Sequence, residues 1–176
     1  RDTETADLAI QAALTGHQVF STVQTNSASG APPRLLDMGV EPFLLTSSLN
    51  AVIGQRVIRK ICPKCKVEFS ATSEVLEGIK SVLGSVMPQS AKMGVKLYKG
   101  QGCDFCARTG YLGRVGIFEV LITNESISKL ILELASSGTI EGRAKENGMI
   151  TMIQDGFLKV LEGITTLEEV LRVAQD

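Results

Sequence analysis

The chain has 176 residues, enough for one domain or for one domain carrying a small insert. It is 44% hydrophobic and 21% charged, so it can bury a core, and its formal net charge of −1 argues against a dedicated nucleic-acid binder, which is normally basic. No apolar run approaches the roughly 18 residues that a membrane-spanning helix needs. Cysteines without an export signal point to the cytoplasm. The sequence starts at Arg1 rather than Met, inside a helical pattern, and so reads as a piece of a larger protein.

In chain order, Ala6, Ala9, Ile10, Ala13 and Leu14 fall at helical spacing, and Gly16 is expected to stop that helix. The alternation around Val19, Phe20 and Val23 predicts a strand over His17–Thr25. A polar turn from Asn26 leads into a helix beginning near Pro32 and Pro33 and closed by Gly39. Residues Pro42–Ile53 are expected to form a buried helix, and Gln55–Ile61 a strand. Ser73 is placed to cap a helix reaching Leu83, and Gly84–Gly94 reads as loop. Val115, Ile117, Phe118, Val120 and Leu121 suggest one more strand. The remainder is helical, with one stripe at Ile127, Leu130, Ile131 and Leu134 and another at Ile153, Phe157, Val160, Leu161 and Ile164. Thr166 and Glu169 have the spacing of a capping box at the start of a last helix.

All four cysteines lie in two Cys-x-x-Cys pairs, Cys62/Cys65 and Cys103/Cys106. Two such knuckles can place four thiolates around one tetrahedral zinc ion, and structural zinc is the favoured reading. Thiol redox chemistry and disulfides stay open as alternatives. Gly102 precedes the second pair, where a tight turn calls for φ freedom. Arg56, Arg59, Lys60, Lys64 and Lys66 crowd the first pair. Zinc with four thiolates carries a charge of about −2, which such cations offset; the same cluster also reads as a patch for nucleic acid or acidic lipid.

Several runs of residues are more specific than this. They are Arg1-Asp2-Thr3-Glu4-Thr5-Ala6, Thr15-Gly16-His17 with Phe20-Ser21-Thr22-Val23-Gln24-Thr25-Asn26, Arg34 to Phe43, Gln55 to Cys62, Gly110 to Glu119, and Asp155 to Val170. In these motifs, and in their order, the chain resembles the C-terminal RecA-like domain of the type II secretion and type IV pilus assembly ATPases. The resemblance implies an α/β fold: the C-terminal portion of a RecA-like P-loop ATPase domain, a tetracysteine zinc insert and a helical C-terminal subdomain. The expected boundaries are 1–61 for the ATPase core, 62–106 for the zinc subdomain, and 107–176 for the remaining strand and helices.

The resemblance also implies roles. By itself His17 reads as a hydrogen-bonded residue at a strand start; the resemblance implies a place near the terminal phosphate of a nucleotide or in the relay between subunits. The second His of that box is Gln24 here, which exchanges hydrogen bonds but does not titrate. Arg1, Arg34 and Arg56 are candidates for stabilising phosphate charge across a subunit boundary. Thr25 and Asn26 are expected to shape the loop through short side-chain to backbone bonds, and Asp2 and Glu4 to serve a helix start rather than catalysis. For the parent protein the resemblance implies ATP and Mg, a hexameric ring, and inner-membrane platform and accessory proteins as partners, at which it sits peripherally from the cytoplasm. The Walker A loop and Walker B carboxylates are expected before Arg1, so this chain alone is expected not to hydrolyse ATP. The competing class is a non-enzymatic zinc adaptor that uses the strip Arg56–Lys66 to bind nucleic acid or an acidic lipid face.

Overall fold

Helix α1 (Thr3–Leu14) begins where Asp2 turns its carboxylate back on the chain and accepts the Thr5 N–H at 2.8 Å. That bond holds the Asp2 carboxyl below its ordinary value. The helix ends at Thr15 and Gly16, the latter at φ +92°. The computed structural model describes residues 2–89 and 95–174, which fall into two compact units: one up to Gly54 together with Glu119–Met149, the other Gln55–Phe118 with the chain from Ile150.

In the first unit a 3-10 turn, Ala28–Gly30, runs into α2 (Ala31–Asp37), with prolines in its first turn where a missing N–H costs nothing. It stops at Met38 and Gly39, as expected. The strand predicted over His17–Thr25 does not form. These residues are irregular, all but Val23 are exposed, and no strand among the described residues pairs with them. Alternation marks a strand only where a ladder partner exists.

Helix α3 (Pro42–Ser48) is shorter than the expected helix to Ile53 and buries only Leu45. Its last residues pull against the helix: the Ser47 and Ser48 hydroxyls bond back to the Phe43 and Leu44 carbonyls. The chain then enters strand β1 (Ala51–Ile61), which pairs with β4 (Tyr111–Ile122). Helices α5 (Glu125–Leu132) and α6 (Ser137–Glu146) start at Asn124 and Ser136, whose side chains accept N–H groups of the first turn. Ala6, Val40, Leu45, Leu121, Ile127, Ile131, Ile140 and Ala144 form the core of this unit. Leu134, read as part of the α5 stripe, lies past the helix end at φ +54° and is exposed.

In the second unit, β2 (Lys66–Ser70) and β3 (Lys96–Gly100) pair antiparallel, Lys66 opposite Gly100 and Ser70 opposite Lys96. Neither strand was anticipated, since lysine and glutamate dilute their alternation. Helix α4 (Ser73–Leu83) is capped by Thr72, one residue before the expected Ser73. Helices α7 (Met152–Leu161) and α8 (Leu167–Ala174) pack closely at Gly156, where a Cβ would stand 2.5 Å from Val170 Cγ1. Ile58, Ile79, Leu83, Leu97, Ile117, Phe157, Val160 and Val170 make the core, each side chain contributing about 1.5–3 kcal/mol on burial.

Candidate metal centre

The first knuckle begins as β1 ends. The Cys62 N–H donates to the Gly110 carbonyl at 2.9 Å, and the Cys65 carbonyl accepts the Gln101 N–H at 3.0 Å. Those two bonds tie the first knuckle to the chain entering and leaving the second. The second knuckle is a tight 3-10 turn, Asp104–Cys106, followed by Ala107 and Arg108 at positive φ. It needs the glycine expected at 102: Gly102 lies at φ +86°, and a Cβ there would stand 2.6 Å from the Arg108 carbonyl oxygen. At Gly100 a Cβ would come within 2.0 Å of the Gly110 carbonyl oxygen, so the two backbones meet where no side chain fits.

This arrangement brings all four sulfurs together. Cys62 and Cys103 Sγ are 4.0 Å apart, Cys65 and Cys106 3.9 Å, Cys103 and Cys106 3.7 Å, and the whole set lies within 4.8 Å. A tetrahedron with metal–sulfur bonds of about 2.3 Å has edges of about 3.8 Å, so the donor set fits one tetrahedral ion. Cys62 and Cys106 are buried, Cys65 and Cys103 half-buried, and all four are free thiols rather than disulfides. Cys106 Sγ accepts N–H groups from Cys103 and Gly110, each at 3.3 Å. These bonds, the one from Cys103 first, lower its pKa to about 6; burial pushes Cys65 up to about 11. At Cys106 the groups that favour the thiolate are backbone N–H groups, not the lysines and arginines of the sequence cluster. Arg59 turns to Glu169 and stacks over Tyr111, and Lys66 stacks over Tyr98 at 4.2 Å.

Arg59, Glu169 and Tyr111 form a polar network that the sequence did not disclose. Glu169 has no exposed side-chain surface and bonds the Arg59 Nε and the Arg172 Nε, the latter at 2.6 Å. Burial raises its pKa, but the bonds from Arg59 and Arg172 outweigh that and hold it below the ordinary carboxylate value. The capping box predicted at Thr166 forms in part. Thr166 Oγ1 accepts the Glu169 N–H at 3.3 Å and pairs with the Tyr111 hydroxyl at 2.8 Å, while the Glu169 carboxylate serves the arginines.

The residues assigned to nucleotide chemistry are less gathered. His17 is exposed, its Nδ1 3.0 Å from Thr15 Oγ1. Gln24 and Arg34 are exposed as well, and no hydrogen bond among the described residues joins either to His17. Arg56 is half-buried on β1 in the second unit, and Arg1 lies outside the described residues. Thr25 makes the expected local bond, Oγ1 donating to the Ser27 carbonyl at 2.9 Å. One residue of this loop's support was missed. The Ala28 N–H donates to Glu119 Oε1 at 2.5 Å, and Glu119 is 6% exposed. The signal was there, because Glu119 falls in phase with Ile117 and Leu121 on the inward face of β4.

The sequence model of the type II/IV secretion system proteins matches residues 1–172. The chain belongs to that family. Relatives within the family include the type IV pilus assembly ATPase PilB of Thermus thermophilus, 44% identical over 97% of this chain and 19% of its own length. The type II secretion system protein E of Pseudomonas aeruginosa is 44% identical over 100% of this chain and 33% of its own length. The chain thus spans a third or less of these relatives. Among solved structures, the pilus retraction motor PilT with bound ADP superposes with a TM-score of 0.59 at 25% identity, covering 98% of this chain and 36% of that one. The ATPase DotB of Legionella pneumophila, at 0.56 and 18% identity over the same shares, supports the α/β ATPase fold alone. Membership leaves the adaptor reading without support. No helix among the described residues is long and apolar enough to cross a membrane.

Proposed function

We propose that this chain is part of an assembly-type motor, an ATPase that drives type II secretion or type IV pilus assembly, and that its four cysteines hold one structural zinc. The observation that carries the reading is the closed set of four sulfurs within 4.8 Å inside a chain of this family. Bound there, zinc would supply no chemistry on a substrate: four thiolates leave no open position, and its effect is to fix the two knuckles against each other. Cys62, Cys65, Cys103 and Cys106 are the ligands.

In the whole protein, ATP and Mg would be handled together with segments beyond this chain. His17 and Gln24, with Arg1, would sit near the terminal phosphate, and Arg34 and Arg56 would face phosphate charge from this or a neighbouring subunit of a hexameric ring. Rigid-body shifts of such a ring would act on an inner-membrane platform protein. The chain alone has no phosphate-cradling glycine loop, and we expect it not to turn over ATP; measurable hydrolysis by the purified chain would sink that part. Metal content by mass spectrometry with thiol titration tests the centre. One zinc per chain with four protected thiols is the expected result. Four reactive thiols and no metal would remove it.

A further inference from the structure

Beside the second knuckle lies a cleft of about 490 Å³, open to solvent and lined by Arg59, Thr109, Tyr111, Leu112, Gly113 and Arg114. Among the described residues no acidic one lines it. One of its arginines is set in place. The Arg59 guanidinium lies 4.2 Å above the Tyr111 ring, its Nε is held by Glu169, and the Tyr111 hydroxyl is anchored on Thr166 at 2.8 Å. The terminal amino groups of Arg59 carry no hydrogen bond among the described residues, and its side chain is 47% exposed. The other arginine, Arg114, is exposed and has neither an ion pair nor a hydrogen bond among the described residues. The wall between them is rigid. Thr109 Oγ1 donates to the Cys106 carbonyl at 2.6 Å and accepts the Tyr111 N–H at 3.3 Å, which splints the strand start onto the knuckle.

A fixed guanidinium whose outer nitrogens carry no hydrogen bond among the described residues, in one cleft with a second guanidinium that has no ion pair among them, suits an oxyanion. The rest of the lining selects its kind. Arginine serves carboxylate and phosphate alike, but phosphate sites commonly add helix N-termini, nests of backbone N–H groups or a lysine, and among the described residues the lining includes no helix start and no lysine. It offers instead Leu112, which is 40% exposed, and the part of the Tyr111 ring that Arg59 does not cover, surfaces that suit an apolar side chain. We propose that this cleft binds a short acidic peptide segment of a partner protein, one Asp or Glu carboxylate lying between Arg59 and Arg114 and an apolar neighbour resting on Tyr111 and Leu112. The inference does not rest on the identity of the metal, only on the position of the knuckle that carries Thr109.

The test follows the backbone amides of the isotope-labelled full chain by NMR while an acetylated Gly-Leu-Glu-Asp-Leu-Gly peptide is added. The parallel probes are the same peptide with Gln and Asn for the acids, and inorganic phosphate. The acidic peptide should shift the amides of residues 109–114. Its affinity should fall roughly tenfold or more for R114Q, since a charge-assisted bond is lost, and by a similar factor for the amide peptide. Arg114 is exposed and makes no hydrogen bond or ion pair among the described residues, so R114Q should keep the native spectrum elsewhere. Equal binding by R114Q, equal binding of the amide peptide, no shift at millimolar peptide, or a stronger response to phosphate at the same amides would each overturn the proposal. Metal content measured on the same sample separates the two readings. A zinc-free chain that still binds the peptide through Arg114 refutes the zinc centre and upholds the cleft.

Discussion

Replacing Glu169 by Gln removes one charge and almost no volume from a side chain with no exposed surface, and leaves Arg59 and Arg172 facing a neutral amide. Removing one partner of a deeply buried ion pair costs about 3–5 kcal/mol. Here both arginine side chains are about half exposed, 47% and 56%, so water recovers part of the loss. The expected destabilisation is therefore about 1–3 kcal/mol at pH 7, in line with the worth of hydrogen bonds to charged groups. For a chain of this length that lowers Tm by roughly 2–4 °C per kcal/mol. The sign of the pH dependence is fixed by the depressed carboxyl. Its ordinary value is 4.5 and the folded value lies lower, so the unfolded chain takes up the proton first. The contribution of the charge is fully present above pH 4.5 and is lost as pH falls through the folded pKa. The assay is urea unfolding of both proteins across that range. Thiol protonation and metal loss at low pH act on both alike, so the difference between them isolates Glu169. A difference that stays constant from neutral pH to about pH 3, or one under about 0.5 kcal/mol at pH 7, would refute the reasoning.

Gly156→Ala should destabilise by about 1–3 kcal/mol in the same unfolding assay, because its Cβ meets Val170, and this outweighs the gain of about 1 kcal/mol in helix propensity. Adding Val170→Ala should recover part of the loss; a stabilised single mutant would mean that α7 and α8 are not packed this closely. Stripping the metal with a chelator should lower stability by at least about 3 kcal/mol and raise the reactivity of all four thiols, both reversed by added zinc. Cys62→Ser should do the same without reversal. Asn124→Ala removes the acceptor of the Ile127 N–H and should cost about 1 kcal/mol, with early loss of amide protection in α5 as the local readout.

What the sequence disclosed follows from the range over which each cause acts. Helix ends were legible because their causes are local: Gly16, Gly39 and the proline pair at 32 and 33 act within one turn of themselves. The cysteine cluster was legible because ligand spacing survives any intervening fold. The strand expected over His17–Thr25 failed for the opposite reason, since alternation records only that a strand is compatible with a sheet and the partner lies elsewhere in sequence. Strands β2 and β3 were missed because Lys66, Glu68, Lys96 and Lys99 blur the pattern, and their pairing decides the structure. The Arg59–Glu169 pair joins positions far apart in the chain and left no local trace. Glu119 did leave one, a carboxylate in the buried phase of an apolar strand.

The knuckles differ from the rest of the second unit in what holds them, and that difference supports the proposed metal there. Its core side chains, from Ile58 and Ile79 to Phe157 and Val170, are all outside the turns that carry the cysteines. Between the knuckles the contacts are backbone on backbone: Cys62 N–H to the Gly110 carbonyl, Gln101 N–H to the Cys65 carbonyl, and Gly100 against Gly110 with no room for a Cβ. Phe105, the large apolar residue of the second turn, is 61% exposed and adds nothing to a core. Net hydrogen-bond gains are about 1 kcal/mol each, whereas ordering one residue's backbone costs about 1–2 kcal/mol. The turns are thus held by hydrogen bonds rather than by apolar burial. Four thiolate bonds to one ion, as proposed for these cysteines, would tie the two turns together at the point where apolar burial is missing.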